Sequence, residues 1–217
     1  MKYKYLLLDH DDTIVDSTKD IHYASFLEVV NVLRPYVNIS LEDFYRLNYD
    51  PGIIPLFEKV LGFTKEEMDY EHDHWKNYVK NHTPHLFDGV KYLLWDFVNK
   101  GGQIFVISHS YEHEIRRHYM EHGLPEPIKV YGFDYPENQR KPYTWPIEDI
   151  VLTFNLDKNL MLMVDDLKPG KTMAENSGVD FAAAGWAHDI KEIKEELLKS
   201  SKYFCKDISE LRKVLEI

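Results

Sequence analysis

Within its first thirteen residues the chain passes from a short apolar stretch, Tyr5 to Leu8, straight into Asp9-His10-Asp11-Asp12-Thr13. An apolar run of that length reads as a buried strand, with the acids at its C-terminal end. In open α/β sheets that edge is where ligands bind. Three carboxylates within four residues repel one another unless a cation or a shared proton sits among them. The fold must therefore bury this strand on both sides and still leave its carboxyl end accessible.

The rest of the chain supplies strands and helices in alternation. Tyr3–Leu8, Gln103–Ile107, Val130–Gly132, Leu160–Val164 and Asp180–Ala184 read as strands. Gly89–Asn99, Tyr111–His122, Ile147–Phe154, Met173–Ser177, Ile190–Lys199 and Ile208–Leu215 read as helices. Gly101-Gly102, Gly123 and Gly178 stop three of them, as C′ glycines do. Alternation of this kind implies a parallel sheet with helices on both faces. Between Thr18 and Thr83 the signals are helical only: Ile21–Leu33, a start at Ser40-Leu41-Glu42-Asp43, and a capping box at Thr64-Lys65-Glu66-Glu67 that opens a stretch to Lys80. The expected organisation is an α/β, Rossmann-like core over 1–17 and 84–217 with an inserted α-helical cap over 18–83.

Composition narrows the function. With 26 Lys and Arg against 37 Asp and Glu the net charge is -11, and no basic stripe is present to neutralise phosphates along a nucleic acid. A small anionic substrate remains compatible, because one metal ion and one lysine invert a local field. The single cysteine, Cys205, allows neither an intramolecular disulfide nor a cysteine metal site. Asp9 comes too early for a signal peptide, and no run approaches about 18 apolar residues. The expectation is a cytoplasmic protein without a membrane partner, a monomer or weak homodimer.

Four features fall at expected strand ends or just before a helix: Asp9-x-Asp11-x-Thr13, Ser108, Lys141-Pro142 and Asp165-Asp166. A parallel sheet gathers them into one inventory of nucleophile, acid/base, hydroxyl donor, cation and metal-holding pair. Phosphoryl transfer needs such a set, since its catalysis is mostly positioning and charge stabilisation. At these residues the chain resembles the haloacid dehalogenase superfamily in its capped phosphatase branch. The first motif matches Asp9, Asp11 and Thr13, continuing through Ile14-Val15-Asp16-Ser17. The second matches Ser108, the third Lys141-Pro142, the fourth Asp165-Asp166. The resemblance implies that Asp9 attacks phosphorus, that Asp11 is the general acid and then base, and that Ser108 and Lys141 hold the phosphoryl oxygens and charge. It also implies Mg²⁺ held by Asp9, the Asp11 backbone carbonyl, Asp165 and Asp166.

Some positions depart from the family pattern. Asp12 stands where glycine is frequent, and His109 where asparagine usually follows the serine. In the fourth motif Asp165 replaces a glycine and Gly170 replaces a later acid. Lys168 and Lys171 compete with Lys141 for the cationic role; Lys141 is preferred because proline follows it. The polar stretch Arg46-Leu47-Asn48-Tyr49-Asp50-Pro51-Gly52 reads as a turn-rich connection between two helical patterns; the resemblance implies that a cap loop of this kind faces the core and chooses substrate, which makes Arg46, Asn48 and Tyr49, with Thr13 and His109, the substrate-binding candidates. The other histidines suggest no zinc site. His118 and His122 read as surface residues, His72-Asp73-His74 as a solvated cap surface, and His10 as packing or support for the motif.

The expected activity is Mg²⁺-dependent hydrolysis of a small phosphorylated metabolite, with phosphoglycolate or a sugar phosphate as the leading type. A sugar phosphomutase of the same superfamily is the nearest rival, and Thr13 leans away from it because mutases often carry valine there. Dehalogenation does not require Asp11. A catalytically silent binding module would predict a damaged motif.

Overall fold

The computed structural model describes residues 1–217. Eight strands and ten α-helices follow in chain order, with short 3₁₀ and π segments between them. The strands are β1 (Tyr5–Leu8), β2 (Val15–Asp16), β3 (His85–Leu86), β4 (Gln103–Ile107), β5 (Lys129–Tyr131), β6 (Met161–Asp165), β7 (Asp180–Ala184) and β8 (Tyr203–Cys205). Six of them form one parallel sheet in the order β5-β4-β1-β6-β7-β8. The α/β, Rossmann-like expectation holds, with β1 at the centre. The chain winds outward from β1 in both directions, so the switch point that favours ligand binding lies at its carboxyl end.

Register places the motifs side by side. Leu8 pairs with Val106 on one side and with Val164 on the other. Asp9 therefore emerges level with Asp165, and its N–H donates to the Val164 carbonyl at 2.9 Å. Strand side chains alternate between faces, and the core divides accordingly. Leu6, Leu8, Ile104, Val106, Leu162 and Val164 share one face. Leu7, Phe105, Ile107, Met161, Met163 and Phe181 share the other. Helices α5 (Val90–Asn99), α6 (Glu112–His122) and α10 (Ile208–Leu215) cover the first face. Helices α7 (Trp145–Phe154), α8 (Lys168–Ser177) and α9 (Lys191–Ser200) cover the second. Burial of each large side chain there contributes about 1.5–3 kcal/mol.

Helices α1 (Tyr23–Leu33), α2 (Leu41–Tyr49), α3 (Ile53–Pro55) and α4 (Lys65–Lys80) lie between β2 and β3. They pack on a separate apolar cluster that includes Phe26, Val29, Phe44, Leu56 and Phe57. The capping box at Thr64 and Glu67 is formed, and Ser40 caps α2 through Asp43 N–H. The chain enters and leaves this block through β2 and β3, an antiparallel ribbon in which Val15 pairs with Leu86 and Asp16 with His85. Neither this ribbon nor β8 is among the expected strands, and α8 starts at Lys168 rather than Met173. No helix is long and apolar enough to cross a membrane.

Candidate active site

The carboxyl edge of β1, β4 and β6 holds a buried ionic group. Asp9, Lys141, Asp165 and Asp166 are each less than 5% exposed. Lys141 Nζ lies 2.7 Å from both Asp9 Oδ1 and Asp165 Oδ2. Lys168 and Lys171 do not compete for this place: Lys168 pairs with Asp50 and Glu196, and Lys171 with Glu175. Oxygens of Asp9, Asp165 and Asp166 lie within 4.8 Å of one another.

The three acids differ in how they are satisfied. Asp165 accepts from Lys141 and, through Oδ1, from the Leu167 N–H at 2.8 Å. Its carboxylate fits only because position 170 has no side chain: a Cβ on Gly170 would stand 2.0 Å from Asp165 Oδ2. The two departures in the fourth motif thus complement each other. Asp166 receives one side-chain hydrogen bond, from the Thr13 hydroxyl at 3.5 Å. Asp9 Oδ1 is buried and makes no well-directed hydrogen bond despite its contact with Lys141. Burial first, and then the Asp165 carboxylate, push the Asp9 pKa up to about 8 against the pull of Lys141. Burial and the same neighbour push Asp166 well above the usual range. Burial lowers Lys141, but Asp165 and Asp9 outweigh it and hold the ammonium charged. One lysine does not balance three buried acids. The oxygen-only donors left over, on Asp9 and Asp166, suit a hard divalent cation.

Asp11 lies in different surroundings. Its Oδ1 accepts from Ser17 Oγ at 2.8 Å and His22 Nε2 at 3.0 Å, and its Oδ2 from Ser110 Oγ at 2.5 Å. Burial alone would raise its pKa, but the facing His22, with His10 and Ser110, holds it well below the usual carboxylate range. Asp12 turns away. It adopts a left-handed backbone, φ +54°, and its Oδ1 accepts from the N–H groups of Ser17 and Thr18. That capping role accounts for an acid where glycine is common.

On β4, Ser108 is buried and its Oγ accepts from Ser110 N–H at 3.1 Å. His109 Nε2 donates to the Lys141 carbonyl at 2.9 Å and so ties the loop that carries the lysine. Burial, then the Lys141 charge, push its pKa down to about 4.

The stretch read as a cap loop is helical as far as Tyr49, because the Ser40 cap and the apolar face of Phe44 and Tyr45 carry α2 through it. Arg46 pairs there with Glu42, Asp43 and Glu192. Tyr49 is buried on the second sheet face with Lys168 Nζ 4.6 Å over its ring. Asn48 is half-buried, with no side-chain hydrogen bond.

Two histidine readings need correction. His118 is buried rather than on the surface, with Nδ1 2.9 Å from His10 Nε2. It follows Ile115 by three residues, and that spacing puts it on the apolar stripe of α6. His72 is only partly exposed: it hydrogen-bonds Tyr111 Oη at 2.8 Å and packs against Trp75 and Phe133. The sequence reading assigned no role to Ser110, His22 and Trp75. Ser110 is signalled by the Ser-x-Ser pattern, whereas His22 and Trp75 meet only in three dimensions.

A family model described as haloacid dehalogenase-like hydrolase matches residues 6–184, a span that includes every motif above. The chain belongs to the haloacid dehalogenase-like hydrolases. A protein from Bacteroides fragilis assigned to the same hydrolases superposes with a TM-score of 0.81 at 18% identity, covering 97% of this chain and 100% of that one. A predicted phosphoglycolate phosphatase from Haemophilus somnus gives 0.67 at 16%, covering 99% and 98%. A mutant of CbbY from Rhodobacter sphaeroides, in complex with xylulose-(1,5)bisphosphate, gives 0.73 at 14%, covering 96% of each chain. At such identities these structures speak for the shared fold. No curated protein matches. As a haloacid dehalogenase-like hydrolase, the chain places its first motif at the switch point and its acids at a neighbouring strand end.

Proposed function

We propose that this hydrolase is a Mg²⁺-dependent phosphatase of small phosphate monoesters. The observation that carries the reading is the buried group at the end of β1: Asp9 against Lys141, with Asp166 beside it and short of partners. Asp9 Oδ attacks phosphorus, forming an O–P bond as the ester P–O bond breaks. Asp11 gives its proton to the departing alcohol oxygen. It then takes one from the water that attacks phosphorus, and Asp9 is released as the carboxylate. Lys141 pulls the Asp9 pKa down against burial, and it faces the charge on the phosphoryl oxygens. Ser108, with a hydroxyl hydrogen left to donate, binds one of those oxygens.

Asp9, Asp166 and the Asp11 backbone carbonyl would hold Mg²⁺, and Asp165 serves it indirectly by anchoring Lys141. When bound, the metal neutralises charge on the phosphoryl group and lowers the pKa of Asp9. The block over 18–83 is the cap, and its α2 and α4 border the substrate. Thr13, Arg46, Asn48, Tyr49 and His109 remain its candidate substrate contacts. Of these, Arg46 and His109 already have protein partners.

The test is a phosphate-release screen with Mg²⁺ over phosphoglycolate, sugar phosphates, nucleotides and pyrophosphate, with glucose 1-phosphate also followed for isomer formation. Release from one class of monoester, abolished by EDTA and restored by Mg²⁺, is the expected result. Isomer formation without release would replace the reading by a mutase. Activity that survives exhaustive chelation would remove the metal.

A further inference from the structure

A one-turn π-helix over Thr18–His22 brings the His22 ring back over the first motif: the His22 N–H donates to Ser17 O, and Tyr23 N–H to Thr18 O. Such turns are frequent at functional sites. Trp75, on α4, reaches the same ring from the other side, and its indole Nε1–H lies 3.0 Å from His22 Nδ1. An indole nitrogen only donates. Nδ1 must therefore carry the lone pair while it accepts from Trp75, which leaves the ring's one hydrogen on Nε2. That hydrogen points at Asp11 Oδ1, 3.0 Å away. Burial disfavours a second proton, whereas the Asp11 carboxylate favours it and raises the His22 pKa, so the Trp75 contact is what opposes the charged form.

We propose that His22 is a positioning residue for the Asp11 acid/base, and that Trp75 sets it by fixing the Nε2–H tautomer. The inference rests on the phosphatase reading above.

The two Asp11 oxygens then have different duties. Oδ1 faces two donors, Ser17 Oγ and His22 Nε2, and the imidazole nitrogen that faces it has no lone pair to accept a proton back. Oδ2 faces only the Ser110 hydroxyl, which can rotate and accept. The proton that goes to the leaving oxygen, and returns from water, thus resides on Oδ2. His22 fixes the carboxylate plane, and Trp75 makes that dependent on α4 being seated against the motif. Glu71, one turn before Trp75, is pushed up to about 7 by burial, with His22 opposing.

The experiment compares wild type, His22→Ala, His22→Gln and Trp75→Phe on two esters. p-Nitrophenyl phosphate has a leaving group that needs no proton, whereas an alkyl ester, glycerol 2-phosphate, has one that does. His22→Ala should lower kcat roughly 10- to 100-fold on the alkyl ester, the range for supporting partners of site residues. It should change KM little, and kcat on the nitrophenyl ester far less. His22→Gln, which returns a donor near the Nε2 position, should recover much of the loss. Trp75→Phe should show the same ester preference at smaller size. Equal losses on both esters, or a Gln variant no better than Ala, would reduce His22 to a packing role and overturn the proposal.

Long-range ¹H–¹⁵N spectra of ¹⁵N-histidine-labelled protein read the tautomer without turnover. An Nδ1–H form of His22 overturns the proposal, and an Nε2–H form lost in Trp75→Phe supports it. A wild type inactive on both esters and on the screened metabolites counts against the phosphatase reading, and the spectra still decide the role of Trp75.

Discussion

Asp9 and Asp11 are two residues apart, and their surroundings drive them in opposite directions. Asp9 is packed among strand ends, with two further acids and one lysine, and burial lifts its pKa to about 8. Asp11 meets three hydrogen-bond donors, from Ser17, His22 and Ser110, and is held well below the usual range. Without a metal the order is the reverse of the one that a nucleophile and a general acid need, in which the acid is the raised group and the nucleophile stays ionised. The direction is instructive. Asp9 shares a single ammonium with Asp165 inside a group of three acids, whereas Asp11 has donors of its own, which is why the proposed metal is assigned to the Asp9 side.

The comparison can be broken most sharply at its first member. Asp9→Asn should abolish turnover while the metal-free protein stays as stable or becomes more so, since a carboxylate burial disfavours is gone. Phosphate release and urea unfolding check both halves. Asp11→Asn should cost about 10²- to 10⁴-fold in kcat on alkyl esters, the range for general acid–base catalysis, and less on p-nitrophenyl phosphate. Equal losses on the two esters would deny Asp11 its proton. Lys141→Met leaves Asp9 and Asp165 without their cation, and a broken buried pair costs about 3–5 kcal/mol. Urea titration should find that loss, and the His22 tautomer should be unchanged if the two sides are independent.

The smallest effect concerns the residue between the two acids. His10 is fully buried, and burial pushes its pKa down to about 4 from an ordinary 6.5. A depressed folded-state value means that its contribution is complete above pH 6.5 and lost as pH falls toward 4. At 1.36 kcal/mol per pKa unit the loss is about 3 kcal/mol at most. His10→Gln should flatten the decline in unfolding free energy between pH 7 and 4.5, measured by urea titration.

What the sequence made legible follows the range of the interactions. Strands β1, β4 and β6 declare themselves as apolar runs because both of their faces are buried. Their register then brings Asp9, Ser108 and Asp165 to one edge without further information. Strand β8 is three residues between two helices, too short for a period to show. The start of α8 is hidden by Pro169 and Gly170, which read as a turn, although Pro is tolerated in the first helical turn and Gly170 clears space for Asp165. The surroundings of Asp11 were the least legible. His22 and Trp75 are far apart in sequence, and only the packing of the Thr18–His22 turn and α1 on α4 brings them together. Such contacts have no local signature, whereas the burial of His118 had one in its spacing from Ile115.

The ribbon of β2 and β3 has a consequence for how such a chain can vary. Val15 lies across from Leu86 and Asp16 across from His85, so the residues between them form a loop whose ends are already joined. Closing a loop costs only about 0.6 kcal/mol more for each doubling of its length. The helical segment between β2 and β3 can therefore grow, shrink or be exchanged with little penalty to the parallel sheet. Asp9 keeps its place in the register whatever is hung there.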